Sequence, residues 1–311
     1  MSVMPHISQI NEHFFAKKRD DFPILRQNPD AVYFDSASTT QKPDAVMHAV
    51  QTFYQNAHAN PGRGMYDWAQ QTDRLVQEVR RKVASFVGAP DAGGVVFTQG
   101  TTMSLNMVAQ SWGAHNLQDG DEVLYCPLDH SAMALPWVYL QKQLAESGKN
   151  IVLKPYKLST DGEIDYDHLL SLVGPRTKIV NITHIHNVAG VLNDVEKLRA
   201  ALPEHVVINL DSAQSVSHMA IDVEKLGVQF LSFSGHKMFS ENGIGVLWVS
   251  PEMQESCRPW MSGGGMAVAG ADSAFFQHME AGTQNLSGIV SLGAAMDYIN
   301  DIGRERIERH I

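Results

Sequence analysis

The chain has 311 residues, of which 44% are hydrophobic, which is enough to bury a large core in one domain or two unequal ones. Its formal net charge of -10 argues against a general nucleic-acid binder and against attachment to an anionic membrane. The two cysteines, Cys126 and Cys257, have no metal or redox spacing, so a reducing cytoplasm is expected rather than a disulfide scaffold. Residues 1–30 contain no apolar signal-peptide core, and no apolar run reaches the length that a bilayer needs.

Short apolar runs alternate with amphipathic stretches, which is typical of an α/β fold. The predicted strands, in chain order, are Ala31–Phe34, Gly94–Thr98, Glu122–Pro127, Ile151–Tyr156, Lys178–Ile185, Val206–Leu210, Phe230–Ser232 and Ile244–Val249. The predicted helices are Pro43–Ala57, Gln70–Phe86, Thr102–Ala114, Ala132–Gly148, Tyr166–Leu172, Val195–Ala201 and Ile289–Ile311. Several strands are almost wholly apolar, which suits a mostly parallel sheet covered on both faces. Ligands bind such sheets at the carboxyl ends of the strands, so polar residues there are candidate site residues.

Two such residues form a pair with a recognised chemistry. Asp211 follows the apolar run Val206–Leu210, and Lys237 lies on a glycine-containing turn after Phe230–Phe233. Their separation fits one strand–connection–strand unit, which can bring both groups to one edge of the sheet. A lysine amine can form a Schiff base with the aldehyde of pyridoxal phosphate (PLP), and a carboxylate can keep the pyridine nitrogen protonated. The pair therefore predicts a PLP site.

The phosphate of PLP needs donors at the same edge. Thr101 and Thr102 begin a predicted helix after Gly100, and a helix N-terminus with free amides and hydroxyls suits a phosphate. Ser234 and His236 can add donors from the turn that carries the lysine.

Each feature alone has a commoner explanation. An aspartate after a strand usually caps a helix, and a His-Lys pair usually lies on a solvated surface. His184 and His186 alternate beside Asn187 as metal ligands can, but no third ligand stands at a metal-like spacing, so no metal is predicted. The run Gly263–Gly265 is more often a loop than a phosphate cradle. The PLP prediction therefore depends on the convergence of independent elements.

The segment Ser232-Phe-Ser-Gly-His-Lys237, followed by Gly243-Ile-Gly-Val246, resembles the PLP-lysine signature of class V aminotransferase-like enzymes. It is most similar to the cysteine desulfurase and selenocysteine lyase group, in its SufS/CsdA-like branch. The resemblance runs from about Phe22 to the end of the chain. Its other blocks are Tyr33-Phe-Asp-Ser-Ala-Ser38, Phe97-Thr-Gln-Gly-Thr-Thr102, Asp129-His130, Pro136-Trp137, Asn187-Val188, Asp211-Ser-Ala-Gln214 and Glu280-Ala-Gly-Thr283.

The resemblance implies a role for each matching position around the cofactor. Lys237 is similar to the Schiff-base lysine, and Asp211 to the partner of the pyridine nitrogen. Gln214 is similar to the donor to the phenolic oxygen of the cofactor. His130 is similar to the imidazole that stacks on the ring and carries protons. The implied phosphate ligands are Thr102, Ser234 and His236, beside Thr101.

Three further positions concern the substrate and a second subunit. Thr283 is similar to a residue that reaches the phosphate from the partner, which implies a homodimer. Asn187 and Arg63 are similar to substrate-side residues, although Arg63 is equally well explained as an ordinary surface arginine.

The implied reaction takes sulfur from L-cysteine, or selenium from L-selenocysteine, and leaves L-alanine. An enzyme thiolate attacks the substrate sulfur, and the persulfide passes to an acceptor protein, for example for iron–sulfur cluster assembly. The family's nucleophilic cysteine and carboxylate-binding arginine lie beyond Ile311, and Cys126 and Cys257 match neither family block. We therefore expect a fragment of a longer desulfurase, with a natural short form as the alternative.

The expected fold is the α/β fold of type I PLP enzymes, with a mostly parallel seven-stranded sheet flanked by helices. Residues 1–30 are predicted to pack with a small domain, 31–285 to form the large PLP-binding domain, and 286–311 to begin a truncated small domain. Met103 and Met133 depart from the family pattern near the expected active-site wall, which leaves the exact substrate open. Alternatives are another class V enzyme, such as a selenocysteine lyase or aminotransferase, and a scaffold or partner subunit without activity.

Overall fold

The computed structural model describes residues 14–62, 64–267 and 273–311. Within them, seven strands form one sheet in the order β1-β7-β6-β5-β4-β2-β3. The strands are β1 (Val95–Thr98), β2 (Glu122–Tyr125), β3 (Val152–Pro155), β4 (Thr177–Thr183), β5 (Val207–Asp211), β6 (Phe230–Ser234) and β7 (Gly245–Val249). Strand β7 is antiparallel to both of its neighbours, and the other pairings are parallel. The predicted mostly parallel seven-stranded α/β sheet is confirmed.

The helices of the described residues connect and cover these strands. They are α1 (Pro23–Gln27), α2 (Asp44–Asn56), α3 (Asp67–Phe86), α4 (Thr101–Met107), α5 (Ala114–Asn116), α6 (Ser131–Glu146), α7 (Tyr166–Leu172), α8 (Val195–Ala201), α9 (Val223–Leu226), α10 (Pro251–Gln254), α11 (Phe275–Met279), α12 (Leu286–Ile302) and α13 (Arg304–Glu308). Two 3-10 turns, Arg19–Asp21 and Gly235–Lys237, and a π-helical segment, Val108–Gly113, complete the pattern. No helix among the described residues is both long and apolar enough to cross a membrane.

Apolar residues on both faces of the sheet explain why helices cover both sides. Successive residues of a strand point to opposite faces. In β5, Val207 belongs to one hydrophobic cluster, which includes Trp137 of α6, and Ile208 belongs to the other, which includes Ile289 of α12. At about 25 cal/mol per Å² of buried apolar surface, this double burial is the main term that stabilises the sheet.

Three predicted elements differ from the structure. Ala31–Phe34 is not a strand; these residues have no partner among the described strands, and Phe34 is 96% exposed, so its β propensity has nothing to pack against. The helix predicted over Thr102–Ala114 changes to π-helical geometry at Val108–Gly113. The helix predicted over Ile289–Ile311 breaks at Gly303, whose φ of +92° ends the preceding helix.

Helix α12 packs against α2 and α3, and its apolar residues join the same cluster as β4 and β5.

A buried ion pair links α3 to the segment before α12. Arg80 of α3 contacts Glu280 at 2.7 Å, and the Arg80 guanidinium lies between Phe97 and Phe276. The division of the chain at residues 30 and 285 stays a prediction.

Candidate active site

A cavity of about 340 Å³ opens at the carboxyl edge of β4, β5 and β6. Strand register explains why it collects polar side chains. Thr183 pairs with Asp211 and Asp211 with Ser232 across parallel strands, so residues far apart in sequence end at one edge. Its lining includes Ala37, Ser38, Thr101, Thr102, His130, Thr183, Asn187, Asp211, Gln214, Ser234, His236 and Lys237. Nine predicted site residues therefore line one cavity.

Asp211 is the last residue of β5 and is only 5% exposed. Its Oδ1 accepts a hydrogen bond from Ala213 N at 2.8 Å, so the carboxyl organises the following turn while also facing the cavity. Burial raises the pKa of Asp211, and the Ala213 amide, Lys237 and His130 each oppose that rise. A buried carboxyl of this kind stays ionised best when a cation lies against it.

Lys237 ends the short 3-10 turn Gly235–Lys237 and projects into the cavity. Burial lowers the pKa of Lys237, and attraction to Asp211 works against that effect. Among the described residues, its amine has no hydrogen bond or ion pair. A lysine that is partly desolvated and unbonded is available as a nucleophile and as a base.

The turn that carries Lys237 is held from two directions. The carbonyl oxygen of His236 accepts hydrogen bonds from the amide and the hydroxyl of Thr40 at 2.9 and 3.0 Å. Two residues after the lysine, Phe239 has a φ of +70°, the one positive φ at a non-glycine position in the described part of the chain. Its ring packs against Phe22 and Tyr298, at centroid distances of 5.6 Å each, and this contact supports the strained conformation.

The predicted phosphate side of the cavity is a tight cup. Ser234 Oγ accepts a hydrogen bond from Thr101 N at 2.8 Å and lies 2.7 Å from the Thr101 hydroxyl. A Cβ on Gly100 would lie 3.2 Å from Ser234 Oγ, and a Cβ on Gly245 would lie 2.4 Å from Gly100 Cα. Only glycine at these two positions lets the β1–α4 turn approach the lysine turn so closely.

We therefore expect Gly245→Ala to weaken PLP binding by about tenfold or more and to destabilise the fold by about 2 kcal/mol, because the new Cβ meets backbone atoms that cannot yield. A titration of the apoprotein with PLP and an unfolding curve would measure the two effects. Gly264→Ala is the matched control, since a Cβ there meets nothing within 4 Å. If Gly245→Ala bound PLP with wild-type affinity, the close approach of the two turns would not be needed for cofactor binding.

His130 and Gln214 have defined orientations. His130 Nδ1 accepts a hydrogen bond from Ala132 N at 3.2 Å and so caps α6, which leaves the proton of a neutral imidazole on Nε2. Gln214 Nε2 donates to Ala37 O at 2.8 Å, and its amide keeps a second hydrogen for a ligand. Both residues line the cavity, His130 at the start of α6 and Gln214 in the turn after β5.

Sequence reasoning missed Thr183, the last residue of β4. Its side chain is 5% exposed and lines the cavity, and its hydroxyl interacts with the buried carboxyl of Asp129 and lowers the pKa of that carboxyl. Its position after an apolar strand, in register with Asp211, is the signal that could have found it.

Several predicted residues lie elsewhere. Arg63 falls outside the described residues. Thr283 lines a second cavity of about 390 Å³, beside Met103 and Glu280, so its predicted action across a subunit interface stays a prediction.

The two cysteines are both buried. Burial raises the pKa of Cys126 to about 11 and that of Cys257 to about 12. The helix before Cys257 ends at Gln254, and the Cys257 thiol packs in the core at 6% exposure. Neither thiol lines the active-site cavity.

His184 follows the last residue of β4 and lines a different cavity from Thr183. Its Nδ1 lies 3.0 Å from Ser215 Oγ, and burial lowers the pKa of His184 to about 4. An unfolded chain binds this proton near pH 6.5, so the free energy of unfolding must fall as the pH drops from about 6.5 to about 4. Asp129 acts in the opposite sense below about pH 6, because burial raises its pKa to about 6.

Between pH 7.5 and 5.0, the free energy of unfolding of the wild type should fall by about 2 kcal/mol more than that of His184→Gln. The reason is that glutamine has no proton to gain. Denaturant unfolding at the two pH values would measure this. The exposed His205, changed to glutamine, is the control and should follow the wild-type pH dependence. Equal pH dependence in His184→Gln and wild type would contradict a buried neutral His184.

These residues fit PLP. Asp211 offers a buried carboxyl that can partner a protonated ring nitrogen, Lys237 an unbonded amine of lowered pKa, and the Thr101–Ser234 cup a set of phosphate donors.

The chain matches the aminotransferase class-V family over residues 32–311 and belongs to that family. A cysteine desulfurase of Dickeya dadantii (strain 3937) is 35% identical over 312 residues, covering 96% of this chain and 74% of the relative. The apo structure of the cysteine desulfurase from Thermococcus onnurineus NA1 is 32% identical, with a TM-score of 0.86 over 94% of this chain and 72% of that one. The cysteine desulfurase CsdA (S-sulfonic acid) from Escherichia coli is 33% identical, with a TM-score of 0.82 over 94% and 73%. The fold is therefore that of type I PLP enzymes.

Proposed function

We propose that this protein is a PLP-dependent cysteine desulfurase, which takes sulfur from L-cysteine and leaves L-alanine. The observation that carries the proposal is the shared cavity: Lys237, Asp211, His130 and the Thr101–Ser234 cup face one space in a chain that is 35% identical to a cysteine desulfurase. A scaffold without activity would have no use for a half-buried, unbonded lysine opposite a buried carboxyl.

PLP, when bound, supplies an electron sink that stabilises negative charge on the α-carbon of an amino acid. Asp211 then provides the carboxyl that shares a proton with the ring nitrogen, and its burial keeps water away from that hydrogen bond. Gln214 orients its free amide hydrogen toward the cavity from a position fixed by Ala37.

Proton movement falls to two groups. The lowered pKa of Lys237 increases the fraction of its amine that is neutral and able to accept the proton of the substrate α-carbon. His130 presents Nε2–H, because its Nδ1 is occupied by the Ala132 amide, and can therefore donate a proton on the cavity side.

The phosphate end is assigned by the chemistry of its donors, and the substrate end by the family resemblance. Thr101, Thr102, Ser234 and His236 hold the phosphate; burial and the neighbouring Lys237 and Lys42 lower the pKa of His236, so it acts through a hydrogen bond. Asn187 and Arg63 are the proposed substrate-side residues. We further propose a homodimer in which Thr283 reaches the phosphate site of the partner.

The sulfur must leave to a thiolate. Cys126 and Cys257 cannot supply it, since both are buried away from the cavity with pKa values raised to about 11 and about 12. We propose a cytoplasmic enzyme that passes sulfur to an acceptor protein, with iron–sulfur cluster assembly as its destination.

The proposal is tested with the purified chain, PLP, L-cysteine and excess dithiothreitol, whose thiolate replaces the enzyme thiol: it accepts the substrate sulfur and is oxidised to its disulfide as sulfide is released. Equal amounts of alanine and sulfide, at a rate unchanged in the Cys126→Ser, Cys257→Ser double variant, would support it. A keto acid product would indicate an aminotransferase. Faster turnover of L-selenocysteine with negligible activity on L-cysteine would indicate a selenocysteine lyase, and no PLP binding at all would indicate a scaffold.

A further inference from the structure

We propose that His186 is a positioning residue that fixes the spacing between the two loops at the cavity mouth. One loop runs through Leu128 to His130, and the other is the turn from Asn187 to Ala189. The inference rests on the proposed function and deepens it, because it concerns the two residues assigned to proton transfer and substrate binding.

The imidazole of His186 bridges these loops with hydrogen bonds to main-chain atoms. Its Nδ1 accepts from Val188 N at 3.3 Å and from Ala189 N at 3.1 Å. Its Nε2 lies 3.2 Å from Leu128 O. The histidine is itself anchored: its amide donates to Val191 O at 3.0 Å and its carbonyl accepts from Gly190 N at 2.8 Å.

The partners determine the tautomer. A carbonyl oxygen can only accept, so Nε2 must carry the proton, and two amides can only donate, so Nδ1 must be bare. Both ring nitrogens are therefore occupied, and the side chain is 6% exposed. His186 is neither a free base nor an available metal ligand; its ring acts as a strut between two stretches of backbone. Asp129 Oδ1, at 4.0 Å from Nε2, is too distant for a hydrogen bond.

The link matters because each loop has an apolar side chain that does not anchor it to the core. Leu128 is 69% exposed and Val188 is 83% exposed, and Asp129 is the buried side chain of the first loop. Leu128 stands two residues before His130, and Val188 follows Asn187, and both His130 and Asn187 line the cavity. A shift in either hydrogen bond therefore moves one cavity residue relative to the other, and displacements near 1 Å are costly in catalysis.

Substitution of His186 by asparagine or by glutamine tests the two hydrogen-bonding ends of its ring separately. In His186→Asn, Oδ1 takes the place of Nδ1 and keeps the Asn187 turn, but the donor to Leu128 is lost. In His186→Gln, Nε2 keeps a donor at the length needed for Leu128, but the acceptor near the backbone is lost. His186→Ala removes both.

Steady-state kinetics on L-cysteine should distinguish these variants. We expect His186→Asn to lower kcat by about tenfold with KM within about twofold, because His130 moves. We expect His186→Gln to raise KM by about tenfold with kcat little changed, because Asn187 moves. His186→Ala should show both effects. His168→Asn is the control, since His168 Nδ1 also accepts a backbone amide, at 3.3 Å from Lys157 N, on an exposed helix outside the cavity lining.

Hydrogen exchange of the Val188 and Ala189 amides gives a readout independent of activity. Exchange should accelerate in His186→Gln and His186→Ala and stay near wild type in His186→Asn. Identical kinetics in the Asn, Gln and Ala variants, or unchanged exchange in His186→Ala, would overturn the positioning role. If the wild type forms no alanine while the exchange pattern appears as expected, the strut stands and the proposed function fails.

Discussion

Lys237→Ala is expected to lose alanine formation by about 10³-fold or more and to bind PLP without a covalent bond. The variant removes the one amine that faces Asp211 in the cavity, and with it both the attachment point and the base. The measurement is borohydride reduction of the protein with PLP, followed by peptide mass mapping. Wild type should carry the reduced adduct on the Lys237 peptide, and the variant should carry none.

Lys42→Ala is the matched control for that experiment. Lys42 is also half-buried with a pKa lowered by burial, but its Nζ donates to Thr40 O at 2.6 Å and lies outside the cavity lining. It should retain the adduct on Lys237. An adduct that persists in Lys237→Ala, at any other lysine and with turnover intact, would remove Lys237 from the site.

Replacement of Asp211 should separate its two functions. Asp211→Asn keeps an oxygen for the Ala213 amide and so keeps the turn, but it removes the acid, and we expect kcat to fall by about 10³-fold with PLP still bound. Asp211→Ala also leaves the Ala213 amide without its partner, which costs about 1–3 kcal/mol and should weaken PLP binding as well. Cofactor titration and single-turnover rates of the two variants would measure the difference.

Asp222→Asn is the control, because Asp222 is an ordinary helix cap that donates no group to the cavity and asparagine caps equally well. Full turnover in Asp211→Asn would show that the carboxyl serves only the turn. That result would restore the commoner explanation of an aspartate after a strand.

The parts of the fold that sequence could predict are those with a local cause. The apolar runs of β4, β5 and β6 give the strands, and the order of strand ends gives Asp211 and Lys237. The cap of α7 has a local cause as well: Asp165 Oδ1 accepts a hydrogen bond from His168 N at 2.9 Å. These features depend on residues within a few positions of each other.

The parts that could not be predicted depend on contacts between distant segments. Residues Ala31–Phe34 favour a strand, but they pair with no strand of the described sheet. Their β propensity therefore does not determine their structure. The place of Thr183 in the cavity and the strut formed by His186 exist only once neighbouring loops are in place. Nothing in the spacing of His184 and His186 revealed that one supports the site and the other faces away from it.

The clamp on the lysine turn also bears on the order of assembly. Thr40 and His236 are 196 positions apart in the chain, and Phe239 is held by Phe22 from one end and Tyr298 from the other. Contacts of such long range form late, because the chain entropy of closing the loops must be overcome first. A ribosome-bound chain that has not yet released Tyr298 therefore lacks a finished lysine turn. Capture of the cofactor therefore has to wait until Tyr298 has emerged and packed against Phe239.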